Sequence, residues 1–165
     1  IEVPIYHPVE EGNDKVMMLG YLDIVMRDKR DNKITIIDIK TSTMGWNKYQ
    51  KADKTKTSQL VLYKKYFAEQ FDVPEESISV EFLIVRRKVY TEGEYPQKRV
   101  QEFSPPSGKI KIARATKAVN EFIEECFEGS TYTDKIMEPN ASKWNCTFCA
   151  YKDNPKLCGL GVNLK

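Results

Sequence analysis

The sequence of 165 residues contains little histidine, little cysteine and no long apolar run. It has one His and four Cys residues. No stretch approaches the roughly 20 consecutive apolar residues of a transmembrane helix, so we expect no membrane partner. We also find no secretory signal, no internal repeat and no low-complexity segment. These absences favour a cytoplasmic protein and make a disulfide framework a weak explanation for the cysteines.

The composition is that of a folded domain with a nearly balanced charge. Hydrophobic residues make up 41% and charged residues 30% of the chain, which predicts one compact domain. The formal net charge of +2 is too small to require a nucleic-acid partner by itself. Three local clusters are nevertheless able to follow a phosphate backbone, namely residues 48–56, Lys64-Lys65 and Arg86-Arg87-Lys88.

Two predicted strands each carry a carboxylate where an apolar pattern gives way to charge. In residues 34–40, period-two alternation places Asp38 and Lys40 on the same face as two isoleucines. In residues 19–26, Asp23 likewise falls in register with apolar residues. A lone carboxylate is costly to bury unless it is paired or binds a cation.

The charged segment between these strands contains the turn-favouring pair Asp31-Asn32, which predicts adjacent antiparallel strands. Asp23 and Asp38 would then lie side by side. Two carboxylates and the main-chain carbonyl of Ile39 are suitable ligands for Mg²⁺ or Mn²⁺. Lys40 would face the same pocket, where it can orient a water or stabilise charge on a phosphate. The alternative is a salt-bridged strand end at the surface.

The next segments predict a helix and a loop that adjoin this pocket. Residues 57–71 have the pattern of an amphipathic helix capped by Thr57 or Ser58, and Gln59 and Tyr63 share one of its faces. Tyr63 is alternatively a core residue and Gln59 its flank. Aromatic and basic residues alternate in the preceding loop, which suits nucleic acid, although a solvated lysine-rich loop is the competing interpretation. The candidate DNA-binding residues are Thr41, Ser42, Trp46, Lys48, Tyr49 and Lys51.

A second constellation lies near the carboxyl end, where Cys146 and Cys149 form a Cys-x-x-Cys pair and Cys158 follows. This is the spacing of metal ligands rather than of core packing. Three thiolates leave a tetrahedral site incomplete. Cys126 is the remaining cysteine, and its place in an apolar helical stripe favours a buried structural thiol over a fourth ligand.

Three motifs in order resemble the RecB-type nucleases of the PD-(D/E)XK superfamily. They are Gly20-Tyr21-Leu22-Asp23, Asp38-Ile39-Lys40-Thr41-Ser42 and Gln59-Leu60-Val61-Leu62-Tyr63. The resemblance implies a restriction-nuclease-like α/β core, with a mixed central β-sheet flanked by helices and a cysteine-bearing loop at the carboxyl end. It implies a metal-dependent DNA nuclease, an exonuclease above all, acting in recombination, repair or processing. A non-catalytic DNA-binding or partner-binding module of the same fold is the alternative.

The resemblance also implies roles for individual residues. Asp23 and Asp38 would be metal ligands, Lys40 the catalytic lysine, and Gln59 and Tyr63 neighbours of the active site and the DNA. His7 or Glu2 would stand in for a further ligand that the family supplies from ahead of the first strand. The cysteine ending is similar to that of iron-sulfur nucleases, including helicase-associated and CRISPR-associated members, and implies a [4Fe-4S] cluster, or Zn²⁺ in its place.

We therefore expect a nuclease core over residues 1–138, with the cysteine motif of residues 139–165 packed on it. Because the chain begins with Ile1 in a strand pattern, we also expect a segment ahead of it. The expected partners are single-stranded DNA or duplex ends, and a helicase or recombination protein. The predicted strands are 1–7, 16–27, 33–40, 78–90 and 98–103, and the predicted helices are 57–71 and 109–127.

Overall fold

A computed structural model describes residues 2–10, 13–92, 94–128, 131–132, 143–151 and 154. The chain divides into two compact units, residues 1–131 and residues 132–165. The predicted boundary after residue 138, and the packing of the cysteine segment on the core, stay predictions. Cys158 lies outside the described residues.

The described part of the chain begins with four strands, which are followed by two helices, two strands and a long helix, and it ends with two short strands and a short helix. The strands are β1 (Val3–Glu10), β2 (Asn13–Leu22), β3 (Ile24–Arg27), β4 (Ile34–Ser42), β5 (Ile78–Arg86), β6 (Val100–Phe103), β7 (Phe127–Glu128) and β8 (Thr131–Tyr132). The helices are α1 (Lys48–Ala52), α2 (Lys54–Gln70), α3 (Lys109–Cys126) and α4 (Lys143–Cys146), with a 3₁₀ turn at Glu75–Ser77.

The central sheet of the first unit is mixed, in the order β3-β4-β5-β6. Strands β4 and β5 are parallel, while β3 and β6 pair antiparallel at the two edges. The connection from β4 to the parallel β5 passes through α2, as a parallel crossover requires. Strands β1 and β2 form a separate antiparallel hairpin. The predicted α/β fold class with a mixed sheet and flanking helices is confirmed.

Helix α2 forms the core by packing on β1, β4 and β5. Alternation along β4 and β5 directs one row of side chains toward the helix, and the apolar stripe of α2 meets that row. The buried core residues are Ile5, Leu22, Ile34, Ile36, Trp46, Leu60, Tyr63, Tyr66, Phe67, Ala68, Ile78, Val80, Phe82 and Ile84. Helix α3 packs against the outer side of α2 through Ile112, Ala115 and Val61.

Helix α2 begins at Lys54 rather than at the predicted Thr57. Asp53 is its N-cap, because the Asp53 side chain accepts a hydrogen bond from the amide of Thr55 at 3.0 Å. Helix α1 lies in the segment predicted to be a loop, and a capping box between Asn47 and Gln50 starts it.

The predicted strand over residues 16–27 is two strands, because the chain bends at Asp23 between β2 and β3. Strand β2 pairs with β1, and β3 pairs with β4. Strand β5 ends at Arg86, four residues before the predicted end at Tyr90. Of the helices in the described part of the chain, none is long and apolar enough to cross a membrane.

Candidate active site at the end of strand β4

The bend at Asp23 places its carboxylate beside the end of β4. The pairing of β3 with β4 ends at Ile24 and Ile37. If the register continued by one residue, Asp23 would lie opposite Asp38. There the ladder is continued by a side chain, because Oδ2 of Asp23 accepts a hydrogen bond from the amide of Ile39 at 2.7 Å. The two carboxylates predicted to be neighbours therefore lie at the same end of β4.

The Asp38 carboxylate is buried, with 4% of the residue exposed. Nζ of Lys40 lies 2.8 Å from its Oδ2 atom. That oxygen has no hydrogen-bond partner among the residues that the structure describes, so the lysine contact is an ion pair without hydrogen-bond geometry. Burial raises the pKa of Asp38, the Lys40 ammonium opposes this shift, and the charge of Asp23 adds to it.

Lys40 is connected to helix α2 through two amide contacts of Gln59. Nζ of Lys40 donates to Oε1 of Gln59 at 3.0 Å, and Nε2 of Gln59 donates to the Tyr63 hydroxyl at 3.1 Å. An ammonium group can only donate, so the Gln59 amide must direct its oxygen toward the lysine and its nitrogen toward the tyrosine. The polar chain Asp38–Lys40–Gln59–Tyr63 thus links the sheet to the helix.

Gly20 allows the Tyr63 ring to approach strand β2. A Cβ atom at position 20 would lie 2.7 Å from Cε1 of Tyr63, which is closer than real Cβ contacts come. The ring is buried, with 8% of Tyr63 exposed. The glycine of the first motif and the tyrosine of the third are therefore in direct contact, although 43 positions separate them in sequence (63 minus 20).

The oxygen groups at this site fit a hard divalent cation. Asp38 offers a buried oxygen that no described donor meets in good hydrogen-bond geometry, and Asp23 adds a second carboxylate. The amide and carbonyl of a strand residue point to the same side, so the Ile39 carbonyl faces the side on which Asp23 bonds the Ile39 amide. Mg²⁺ is commonly held by one or two carboxylates together with waters and substrate phosphates. Asp23, Asp38 and the Ile39 carbonyl would hold such an ion.

The structure does not bring His7 or Glu2 into this group. Nδ1 of His7 lies 2.8 Å from the Pro8 carbonyl and 3.7 Å from Oε2 of Glu69. Glu69 is in the last turn of α2, whereas Gln59 is near the start of that helix. Glu2 is exposed at the start of the described chain. In the part of the chain that the structure describes, no three His, Cys, Asp or Glu side chains cluster as a metal site. The observed acidic pair is therefore Asp23 and Asp38.

The predicted DNA-binding loop is divided between surface and core. Tyr49 is 74% exposed, with Nζ of Lys48 5.0 Å from its ring centre. Lys51 lies over the ring of Phe103 at 5.3 Å. Trp46 is only 8% exposed, because its ring packs against Phe82 and Phe103 in the core. The predicted base stacking by Trp46 is thus inconsistent with its place in the fold.

Thr41 and Ser42 end β4 beyond Lys40, Thr41 exposed and Ser42 partly buried. The Ser42 hydroxyl donates to the Gly45 carbonyl at 3.0 Å. Gly45 has a φ of 90°, which favours glycine. The loop after β4 is therefore folded back on itself.

Gln101 on β6 holds this loop and was not predicted from the sequence. Its Oε1 accepts from the Trp46 amide at 2.7 Å, and its Nε2 donates to the Trp46 carbonyl at 3.0 Å. The partners are 55 residues apart, and a glutamine in a short strand gives no sequence signal of such a contact. The glycine before Trp46 was the available hint of a fixed turn.

The described cysteines are free thiols with intermediate exposure, Cys126 at the end of α3 and Cys146 and Cys149 in the second unit. The Cys149 amide donates to the Cys146 carbonyl at 3.2 Å, so the Cys-x-x-Cys pair forms a turn. Because Cys158 lies outside the described residues, the cysteine metal site stays a prediction.

Comparison with protein-family models gives one match over nearly the whole chain. A model described as the PD-(D/E)XK nuclease superfamily matches residues 2–154. The matched range contains all of Asp23, Asp38, Lys40, Gln59 and Tyr63. A search of curated proteins gave no match.

Proposed function

Because this chain belongs to the PD-(D/E)XK nuclease superfamily, we propose that it is a divalent-metal-dependent deoxyribonuclease with Asp23, Asp38 and Lys40 at its active site. Membership indicates a nuclease that hydrolyses phosphodiester bonds with a divalent metal. DNA as the substrate, Mg²⁺ or Mn²⁺ as the metal, and the individual residue roles are our proposal.

The observation that carries the proposal is the buried Asp38 oxygen, which no described donor meets in good hydrogen-bond geometry although the Lys40 ammonium lies 2.8 Å away. A carboxylate in that position is costly unless positive charge compensates it. Lys40 supplies one such charge, and Asp23 adds negative charge at the same place. Two carboxylates and one lysine leave an excess of negative charge, which a further cation would balance. A purely structural ion pair of one carboxylate and one lysine would have no such excess.

A bound divalent metal would polarise the scissile phosphate and lower the pKa of a coordinated water. Hydrolysis forms a bond from a water oxygen to phosphorus and breaks one phosphorus–oxygen ester bond, and a proton ends on the leaving oxygen. Lys40 carries three N–H donors, of which one bonds Gln59, and the ion pair with Asp38 holds the ammonium group beside the carboxylates. A donor not used by Gln59 is available to the attacking water or to the developing charge on the phosphate.

Gln59 and Tyr63 act in this proposal as positioning residues. Gln59 fixes the Lys40 ammonium through its amide oxygen, and Tyr63 fixes the Gln59 amide in turn. Because Tyr63 is buried against β2, the chain of contacts connects the lysine to the rigid core. Rigid support of this kind reduces reorganisation when charge develops.

We also propose that the enzyme is an exonuclease that degrades DNA from ends during recombination, repair or processing, alongside a helicase or recombination protein. This finer assignment is supported by the motif resemblance alone. Linear and covalently closed circular DNA of the same sequence separate the two modes, because an exonuclease degrades only the linear form. Degradation of the closed circle would show an endonuclease.

The test of the main proposal is cleavage of labelled single-stranded and duplex DNA during titration with Mg²⁺ or Mn²⁺, with EDTA as the blank. We expect cleavage that rises with metal and stops in EDTA. Lys33→Ala is a matched control, because Lys33 pairs with Asp31 at the opposite end of β4 and its loss should leave the rate unchanged. DNA binding without cleavage under any metal would instead identify a non-catalytic binding module.

A further inference from the structure

The three basic clusters of the sequence are not equivalent in the fold. Lys64 is buried on α2, and Lys65 pairs with Glu69 at 2.7 Å, so neither is free to meet a ligand. The lysines of residues 48–56 lie in helix α1 and in the first turn of α2. The third cluster meets two further basic residues at the far end of the β5–β6 pair. We call these five residues the basic corner: Arg86, Arg87, Lys88, Lys98 and Arg99.

The basic corner and the active site lie at the same end of the central sheet, where β4 and β5 terminate. Lys40 is in register with Ile84, and Ser42 with Arg86, on the parallel neighbours β4 and β5. Residues in register share a face, so Arg86 follows Lys40 on that face, two positions farther along. A rise of about 3.3 Å per residue and a strand spacing of about 4.8 Å give about 8 Å between the Cα atoms of Lys40 and Arg86.

The corner concentrates positive charge that no described carboxylate neutralises. The Arg86 amide bonds the Arg99 carbonyl at 2.9 Å, which places these two arginines opposite each other across β5 and β6. Like charges in opposed positions destabilise a sheet. None of the five basic side chains lies within ion-pair distance of an acidic group among the described residues. The exposed carboxylate of Glu102 on β6 also forms no ion pair with them. Such an arrangement is stabilised by an external polyanion.

The arginines are also fixed in place by the main chain. Nη1 of Arg86 donates to the Lys98 carbonyl at 2.8 Å, and Nη1 of Arg99 donates to the Arg86 carbonyl at 3.0 Å. Nη2 of Arg87 donates to the Thr43 hydroxyl at 2.7 Å, which ties the corner to the loop after the catalytic strand. Lys88 and Lys98 are exposed, and their side chains form no hydrogen bond or ion pair with the described residues. Ordered guanidinium groups beside mobile ammonium groups suit a row of phosphates.

We propose that the basic corner binds the phosphate backbone of the DNA strand whose scissile phosphate lies at Asp38 and Lys40. The Cα separation of about 8 Å, together with the length of the arginine side chains, brings phosphates next to the reacting one within reach of this corner. This inference rests on the proposed nuclease function and adds the track that the strand follows as it leaves the active site.

The test is DNA affinity in EDTA over a salt series, measured by fluorescence anisotropy with labelled single-stranded and duplex DNA. The variant is the double substitution Lys88→Ala and Lys98→Ala, which removes two side chains that form no hydrogen bond or ion pair with the described residues. The matched control is Lys29→Ala with Lys33→Ala, which removes the same charge at the opposite end of the sheet. Each duplex phosphate contact that is lost should reduce the slope of log affinity against log salt by about 0.9, so we expect a reduction of up to about 1.8 in the first variant.

The control should keep the slope of the parent protein. Equal slopes in the parent and in the Lys88, Lys98 double variant, or equal losses in both double variants, would overturn the proposal. A cleavage assay on the same proteins separates the two claims. Cleavage by the parent with an unchanged slope in the variant would refute the basic corner alone, whereas a reduced slope without any cleavage by the parent would refute the nuclease alone.

Discussion

Substitution of Gly20 by alanine tests the contact that joins the first and third motifs. The new Cβ would lie 2.7 Å from Cε1 of Tyr63, where ordinary contact begins at 3.4 Å, so ring and strand must separate by about 0.7 Å (3.4 minus 2.7). The Tyr63 ring has little room, since the residue is only 8% exposed. Overpacking of this kind costs about 1–3 kcal/mol. Reduced entropy of the unfolded chain offsets about 0.4–1 kcal/mol, so we expect a net loss of roughly 1–2 kcal/mol.

The assay is urea denaturation of the full chain, followed by fluorescence, with Gly108→Ala as the control. A Cβ at Gly108 meets nothing within 4 Å, and reduced entropy of the unfolded chain offsets the cost of alanine at this N-cap of α3, so this variant should stay within about 0.5 kcal/mol of the parent protein. A double-mutant cycle with Tyr63→Leu isolates the contact, because removal of the ring should abolish the cost of Gly20→Ala. The reasoning is refuted if Gly20→Ala is as harmless as Gly108→Ala, or if its cost persists without the ring.

Three further expectations concern the Gln59–Tyr63 contact, the N-cap of helix α2 and the cysteines. Gln59→Leu should reduce the cleavage rate about tenfold, the equivalent of one hydrogen bond of about 1.4 kcal/mol, while Tyr63→Phe should have a smaller effect; equal rates in all three proteins would contradict the positioning role. The side chains of Lys56 and Thr55 hold the pKa of Asp53 at about 2, below its usual 3.8, so this N-cap stabilises the fold above about pH 4 and loses its contribution as the pH falls toward 2. The melting-temperature difference between parent and Asp53→Ala should therefore shrink in that window, Asp53→Asn should retain part of the cap, and a pH-independent difference would exclude the linkage. Protein purified without oxygen should contain iron with labile sulfide, or about one zinc per chain, which Cys149→Ser should release, and metal analysis that finds neither would leave the cysteines as a structural remnant.

The site could be predicted where the signal was local. Alternation along β4 predicts that Asp38 and Lys40 share a face of that strand, and helical spacing predicts that Gln59 and Tyr63 share a face of α2. Each pair could therefore be predicted from the sequence of a single element. The three motifs then brought the pairs together by resemblance. The fold class followed from the same periodicities, because the parallel pair β4–β5 needs a crossover helix and the sequence contains one between them.

Features that depend on distant partners could not be predicted in the same way. The sequence around Trp46 is lysine-rich and predicts a surface loop. In the fold, Gln101 on β6 binds both the amide and the carbonyl of Trp46, and this fixes the residue where its ring is buried in the core. The bend at Asp23 interrupts an apolar run that reads as one strand, because the Asp23 side chain takes the place of a backbone partner for Ile39. Helix α1 did carry a local signal, since Asn47 and Gln50 have the spacing of a capping box.

The most direct test of the central claim compares DNA cleavage and DNA binding in Asp38→Asn and Lys40→Ala at saturating Mg²⁺ or Mn²⁺. Asp38→Asn keeps the shape of the side chain and removes its charge, and Lys40→Ala removes the ammonium group that lies 2.8 Å from Asp38. Both groups act on charge that develops during hydrolysis, so each variant should lose about 100-fold or more in single-turnover rate while DNA affinity in EDTA changes little. Cleavage at the parent rate by both variants would contradict the assignment of this site.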